Sequence, residues 1–278
     1  RHLPEVEHQG IWILKEGKRM LNLSSNDYLG LASRQDLQEE FQASTQDRFY
    51  PYSSSSSRLL TGNFSVYTKL EKQIARSFDR EAALIFNSGY HANTGILPAL
   101  ADKQTLLLAD KLVHASIIDG ILLSGSPFLR YRHNDYDQLE RLVQKNACQY
   151  ETIIILTESI FSMDGDVADL NRLIAIKRQY PHILLYVDEA HAIGARGKTG
   201  RGTRLYPRDR SIGRYFRQGV SVYGGLFGLF PYDTGISGQY DATAHIQYGP
   251  ATVPNRMDFL HLGATPLVHE GTGESSSV

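Results

Sequence analysis

Between about residue 65 and residue 190 the chain alternates two hydrophobic periods, and this constrains its fold more than any other feature. Val66, Leu70, Ile74 and Phe78 recur every four residues, the spacing of an amphipathic helix. Ala82-Ala83-Leu84-Ile85-Phe86 then reads as a short buried strand, and Leu106-Leu107-Leu108 as a second. Ile117, Ile118, Ile121 and Leu122 share a helical face, Phe128 to Tyr131 is a strand, and Tyr136, Leu139, Leu142 and Val143 form another helical stripe. A strand over 153–156, a helix carrying Leu170, Leu173 and Ile174, and a strand over 183–187 complete the series. Continuously apolar strands separated by helices predict an α/β fold with a mostly parallel sheet covered on both faces. Ligands of such sheets bind at the carboxyl ends of the strands. Those ends carry Asn87-Ser88-Gly89, Ala109-Asp110, Thr157-Glu158-Ser159 and Asp188-Glu189.

The flanking sequence is less regular. The first sixty residues show no clear period, and the five serines from Ser53 to Ser57 read as a linker. After Gly202 the alternation stops, glycine and aromatic residues recur without a period, and Lys198 is the last lysine. The chain therefore divides into an amino-terminal segment (1–50), a large domain (51–202) and an aberrant or disordered tail (203–278). A net charge of -1 gives no global bias toward nucleic acid or an anionic membrane. No apolar run approaches the roughly 20 residues that span a bilayer, so neither partner is expected. Cys148 is the sole cysteine, which excludes an internal disulfide and fits a reducing, cytoplasmic setting. The start at Arg1 is neither a methionine nor a signal peptide, which suggests a processed chain or a fragment.

Single motifs leave alternatives open. Asp188-Glu189-Ala190-His191 looks like a nucleotide-hydrolase signature, and 192–199 misses a phosphate loop only because position 192 is alanine. Their order argues against that reading, since a phosphate loop belongs upstream of the acidic strand end. Asn87-Ser88-Gly89-Tyr90-His91 fits either a phosphate-holding turn or an ordinary helix cap. His114 fits either a stacking imidazole or a capping residue. His133 and the other histidines lack metal-ligand spacing and read as solvated or structural. Asp164 and Asp166 lack the later ligands of a calcium loop, and no metal is expected.

Taken in order, six motifs resemble one family. They are residues 22–31 (opening Asn22-Leu23-Ser24-Ser25-Asn26), 57–63 (Ser57-Arg58-Leu59-Leu60-Thr61-Gly62-Asn63), 86–93, 110–116, 157–166 and 187–194. Together they resemble the α-oxoamine synthases, pyridoxal-phosphate enzymes of the aspartate aminotransferase fold (fold type I), over residues 1 to about 202. The resemblance is strongest to the biotin-biosynthesis member. It implies condensation of L-alanine with a pimeloyl thioester, of coenzyme A or of an acyl carrier protein, with loss of carbon dioxide and the thiol. It also implies a homodimer.

The resemblance implies that Asp188 pairs with the cofactor's pyridine nitrogen and that His114 stacks on the ring and meets substrate. Ser162 and His191 would approach the phenolic oxygen, and the backbone at Gly89 and Tyr90 would hold the phosphate. The family's Schiff-base lysine lies beyond the Asp-x-x-His strand, where this sequence has none, and Lys198 does not match it. The family's small carboxyl-terminal domain is likewise not recognisable, which is what a shifted reading frame would produce. Impaired catalysis is therefore expected. The alternatives are a sister activity such as glycine acetyltransferase, or a non-catalytic protein that binds cofactor or a partner.

Overall fold

The structure, a computed structural model, describes residues 5–45, 53–78, 80, 82–197 and 199–202, and the backbone of 220–223 and 227–230. Lys198 and most of the span after 202 lie outside these residues. An antiparallel sheet opens the chain: β1 (Glu7–Gln9), β2 (Trp12–Lys15) and β3 (Lys18–Leu21). Its second turn, Glu16-Gly17, has both φ angles positive (50° and 74°), the two-residue geometry that suits a hairpin's twist. Helix α1 (Gln35–Thr45) follows. The serine run is not a free linker. Ser54 Oγ donates to Ser56 O, and the N–H groups of Leu60 and Gly62 both donate to Ser57 O. A side chain at Gly62 would meet Ser56 O at 2.0 Å, so the turn closes only around glycine.

The remaining elements build the expected layers. They are α2 (Ser65–Ser77), β4 (Ala82–Leu84), α3 (Gly89–Leu100), β5 (Thr105–Asp110), α4 (Ala115–Ser124), β6 (Phe128–Tyr131), α5 (Tyr136–Asn146), β7 (Thr152–Glu158), α6 (Leu170–Gln179) and β8 (Ile183–Asp188). Strands β5 to β8 are parallel to one another. Alternate side chains of the central strands point to opposite faces. Leu107, Ala109, Ile154, Leu156 and Tyr186 pack under α3 and α4. Leu106, Leu108, Ile153, Ile155, Leu185 and Val187 pack under α5 and α6.

Three expectations need correction. Strand β4 stops at Leu84 and is only half-buried, because it lies at one edge of the sheet. Leu122 is 61% exposed, since α4 turns Ile117, Gly120 and Ile121 inward and leaves residue 122 outside that stripe. No strand was expected after residue 202, yet β9 (Val220–Tyr223) and β10 (Phe227–Phe230) join the sheet. The order among described residues is β4-β10-β9-β8-β7-β5-β6, with β10 antiparallel to both neighbours. From β5 the chain steps outward to β6, then returns to β7 on the other side of β5. That reversal marks a crevice at the carboxyl ends of β5 and β7.

Candidate active site

Two carboxylates sit at this crevice. Glu158 ends β7 and Asp188 ends β8, directly paired in register. Asp188 is 7% exposed. Its Oδ1 accepts from Ala190 N–H (2.9 Å) and its Oδ2 from Asn93 Nδ2 (3.2 Å). Burial pushes its carboxyl above the ordinary range, and these hydrogen bonds, with His114 and His191 nearby, only partly oppose that. No lysine or arginine pairs with it among the described residues.

Asn93 extends the network. It projects from α3, where Tyr186 Oη donates to its Oδ1 (2.5 Å) and its Nδ2 also donates to Ser116 Oγ (2.9 Å). Ser116 Oγ lies 2.7 Å from His114 Nδ1, which also accepts from Ser116 N–H at 3.2 Å. Nδ1 thus faces both the hydroxyl and the N–H of Ser116. The helix-cap reading of His114 holds, since its side chain caps α4, and the same contacts fix its ring.

Glu158 joins the two halves of the site. Its Oε1 accepts from His114 N–H at 2.5 Å, and its carboxylate also accepts from Ser162 N–H. Burial, followed by the charge of Asp188, raises its pKa to about 7. Ser162 and His191 both line a cleft of about 260 Å³ with Tyr28, Ile160, Phe161, Gly165 and Ala195. Tyr28 Oη lies 2.6 Å from His191 Nδ1. Gly89 and Tyr90 open α3, one turn before Asn93, and Ser88 caps it by accepting from His91 N–H (3.1 Å). Among the described residues no acceptor takes the Gly89 or Tyr90 N–H. Such groups at a helix start attract anions.

The residues singled out from sequence therefore gather at one end of the sheet. Sequence reading missed Tyr28, Asn93, Ser116 and Glu158 as site members. All four lie in the quoted motifs, but only their meeting in space shows what they contact. The nucleotide-hydrolase and calcium readings find no support in this geometry, and no cluster suited to a metal occurs among the described residues.

The sequence profile of the aminotransferase class I and II family matches residues 18–218. The chain belongs to this family. Its fold is that of the fold type I enzymes, and the family's cofactor is pyridoxal phosphate. A Haemophilus influenzae (strain 86-028NP) relative named for 8-amino-7-oxononanoate synthase is 59% identical over 202 residues, 73% of this chain and 53% of its own length. A Neisseria gonorrhoeae (strain NCCP11945) relative of the same name is 57% identical over 212 residues, 76% and 55% of the two chains. The chain thus spans about half the length of the curated relatives it matches. Among solved structures it is similar to 8-amino-7-oxononanoate synthase from Francisella tularensis (TM-score 0.59, 26% identity, 83% of this chain and 63% of that one). It also shares a fold with serine palmitoyltransferase from Sphingomonas wittichii (TM-score 0.68, 23% identity, 81% and 56%). The family profile runs past residue 202, where the resemblance read from sequence ends, and over β8 into the segment before β9.

Proposed function

We propose that residues 5–202 carry most of the cofactor site of an 8-amino-7-oxononanoate synthase, which condenses L-alanine with a pimeloyl thioester and releases carbon dioxide and the thiol. The observation that carries this reading is Asp188, a buried carboxylate held by Asn93 and a backbone N–H and paired with no lysine or arginine among the described residues. A protonated pyridine nitrogen supplies the missing charge, so the residues present suit pyridoxal phosphate. When bound, that cofactor serves as the sink for the electron pair left at the alanine α-carbon.

The chain's own residues hold and orient it. Asp188 keeps the ring nitrogen protonated, and Asn93 holds Asp188 in place. His114, locked by Ser116 and Glu158, offers its ring face to the cofactor and to substrate. Ser162 and His191 donate toward the phenolic oxygen, with Tyr28 fixing the His191 ring. The N–H groups of Gly89 and Tyr90 take the phosphate. No lysine occurs between residues 199 and 278, so the residue that anchors cofactor and moves the α-proton in the family has no counterpart in this sequence. This absence supports cofactor binding with impaired turnover. The resemblance also supports a cytoplasmic homodimer, and Leu23, Phe41 and Leu60 are apolar side chains left exposed for such a contact.

The test is a titration of the purified chain with pyridoxal phosphate, followed by absorbance, with L-alanine or glycine added afterwards. Saturable binding, with a spectral change that alanine produces and glycine does not, is the expected result. No binding would remove the cofactor site. A preference for glycine would favour the glycine acetyltransferase activity instead.

A further inference from the structure

The hairpin-like turn that carries Ser162 is held by a device outside the cofactor contacts. The turn begins and ends in an isolated bridge between Ile160 and Val167. Inside it, Phe161 N–H donates to Asp166 O (3.0 Å) and Gly165 N–H to Phe161 O (2.9 Å). Ser162, Met163 and Asp164 at its tip are exposed, Met163 at 91%. Glu158 takes the Ser162 N–H and Phe161 is buried on one limb of the turn, while the Asp166 limb is held by side-chain contacts of its own.

His133 supplies one of those contacts. Its Nδ1 lies 2.9 Å from Asp110 Oδ1, and its Nε2 lies 2.5 Å from Asp166 Oδ2. Asp110, at the carboxyl end of β5, is 1% exposed and immobile: its oxygens also accept from Leu112 N–H (2.8 Å) and Asn134 N–H (2.9 Å). Asn134 Nδ2 donates to Asp166 Oδ2 as well (2.9 Å). The ring of Phe161 meets the His133 ring edge-on, with centroids 4.4 Å apart. A carboxylate oxygen faces each ring nitrogen, an arrangement that favours the doubly protonated ring. Burial works against that charge, but the hydrogen bonds to Asp110 and Asp166 outweigh it and the pKa is raised.

We propose that His133 is a positioning residue: by joining Asp110 to Asp166 it fixes the 160–167 turn against the end of β5 and so sets where Ser162 points. The part of this that concerns cofactor rests on the reading that Ser162 faces it. His133 touches neither, and acts through Asp166 and Phe161.

The test uses the full chain with His133→Gln, Asp166→Asn, Ser162→Ala and the double variant His133→Gln/Ser162→Ala. Amide exchange of the cofactor-free chain comes first. Turn amides should exchange roughly ten- to a hundredfold faster in His133→Gln and Asp166→Asn, the loss of a charge-assisted hydrogen bond, while β7 amides keep their protection. Unchanged turn exchange in a folded variant overturns the proposal, as does equal loss over the turn and β7, which marks a general structural role. If His133→Gln does not fold, Asp166→Asn decides, since that side chain is 39% exposed. Pyridoxal-phosphate affinity comes second. His133→Gln should weaken binding in the parent and cause no further loss in the Ser162→Ala background. Additive losses overturn the route through Ser162. If Ser162→Ala alone leaves affinity unchanged, the cofactor role assigned to Ser162 fails, and amide exchange still decides whether His133 holds the turn.

Discussion

At the scale of single residues the site is governed by two neighbouring carboxylates that burial makes expensive to charge. Glu158 has a folded pKa of about 7 against an ordinary value of 4.5. Its raised value means that the folded protein binds more protons than the unfolded one between those limits. Stability of the cofactor-free chain should therefore fall as pH rises through that window, by up to about 1.4 kcal/mol per pH unit for one group. Denaturant melts at several pH values should show this slope, and Glu158→Gln should flatten it. A slope unchanged in the variant would show that Glu158 is not its source. Asp188→Asn should weaken pyridoxal-phosphate binding by roughly 3–5 kcal/mol, the common cost of breaking a buried charge pair, whereas Asp164→Asn, at an exposed turn, should not. Equal affinities in the titration would remove Asp188 from the site. Asp188, His114, Ser162 and His191 could be singled out as candidates because each lies in a motif at a strand end or loop. Tyr28 could not, since its partner His191 is far along the chain and nothing local marks the pair.

At the scale of elements, the alternating periods made β5 to β8 and α3 to α6 readable, because each is buried on a face that its own sequence spells out. The amino-terminal hairpins were not, as Lys18–Leu21 is exposed throughout and shows no apolar alternation. Strands β9 and β10 were missed for another reason: each is only four residues long, Gly228 interrupts β10, and their places come from β8 and β4 upstream. One element contact is especially tight. A Cβ at Gly120 would lie 2.4 Å from the Asn93 carbonyl oxygen, so α3 and α4 meet through a missing side chain. Gly120→Ala should force the helices apart and cost about 1–3 kcal/mol by overpacking. The same shift would strain the Asn93–Ser116 hydrogen bond. A thermal melt should report the first effect and pyridoxal-phosphate affinity the second. An alanine variant as stable as the parent would show that the helices can adjust at no cost.

At the scale of the whole molecule, the proposed function makes the aligned carboxylates, His114 and the α3 start a cofactor cradle, while the sequence holds no lysine after Lys198. A positioned acid–base group is worth typically 10²–10⁴-fold in rate. Mixed with pyridoxal phosphate, L-alanine and a pimeloyl thioester, the chain should release thiol slower than an ordinary biosynthetic enzyme by about that factor. Turnover at the ordinary rate would mean that another group does the lysine's work.

The antiparallel strand β10 has a consequence for the order in which the chain is made. Leu84 pairs with Gly228, so among the described residues β4 reaches the rest of the sheet through β10 and β9. Strands β5 to β8 and their helices emerge as one block and pair with one another, with only the outer edge of β8 left for β9. At about 5–20 residues per second, β4 waits on the order of ten seconds for a neighbour that the ribosome has not yet built. During that interval its edge is open to other chains, and a long loop must later close to cover it. Stalled nascent chains released before residue 220 should thus present a protease-resistant block over β5 to β8 and a cleavable β4.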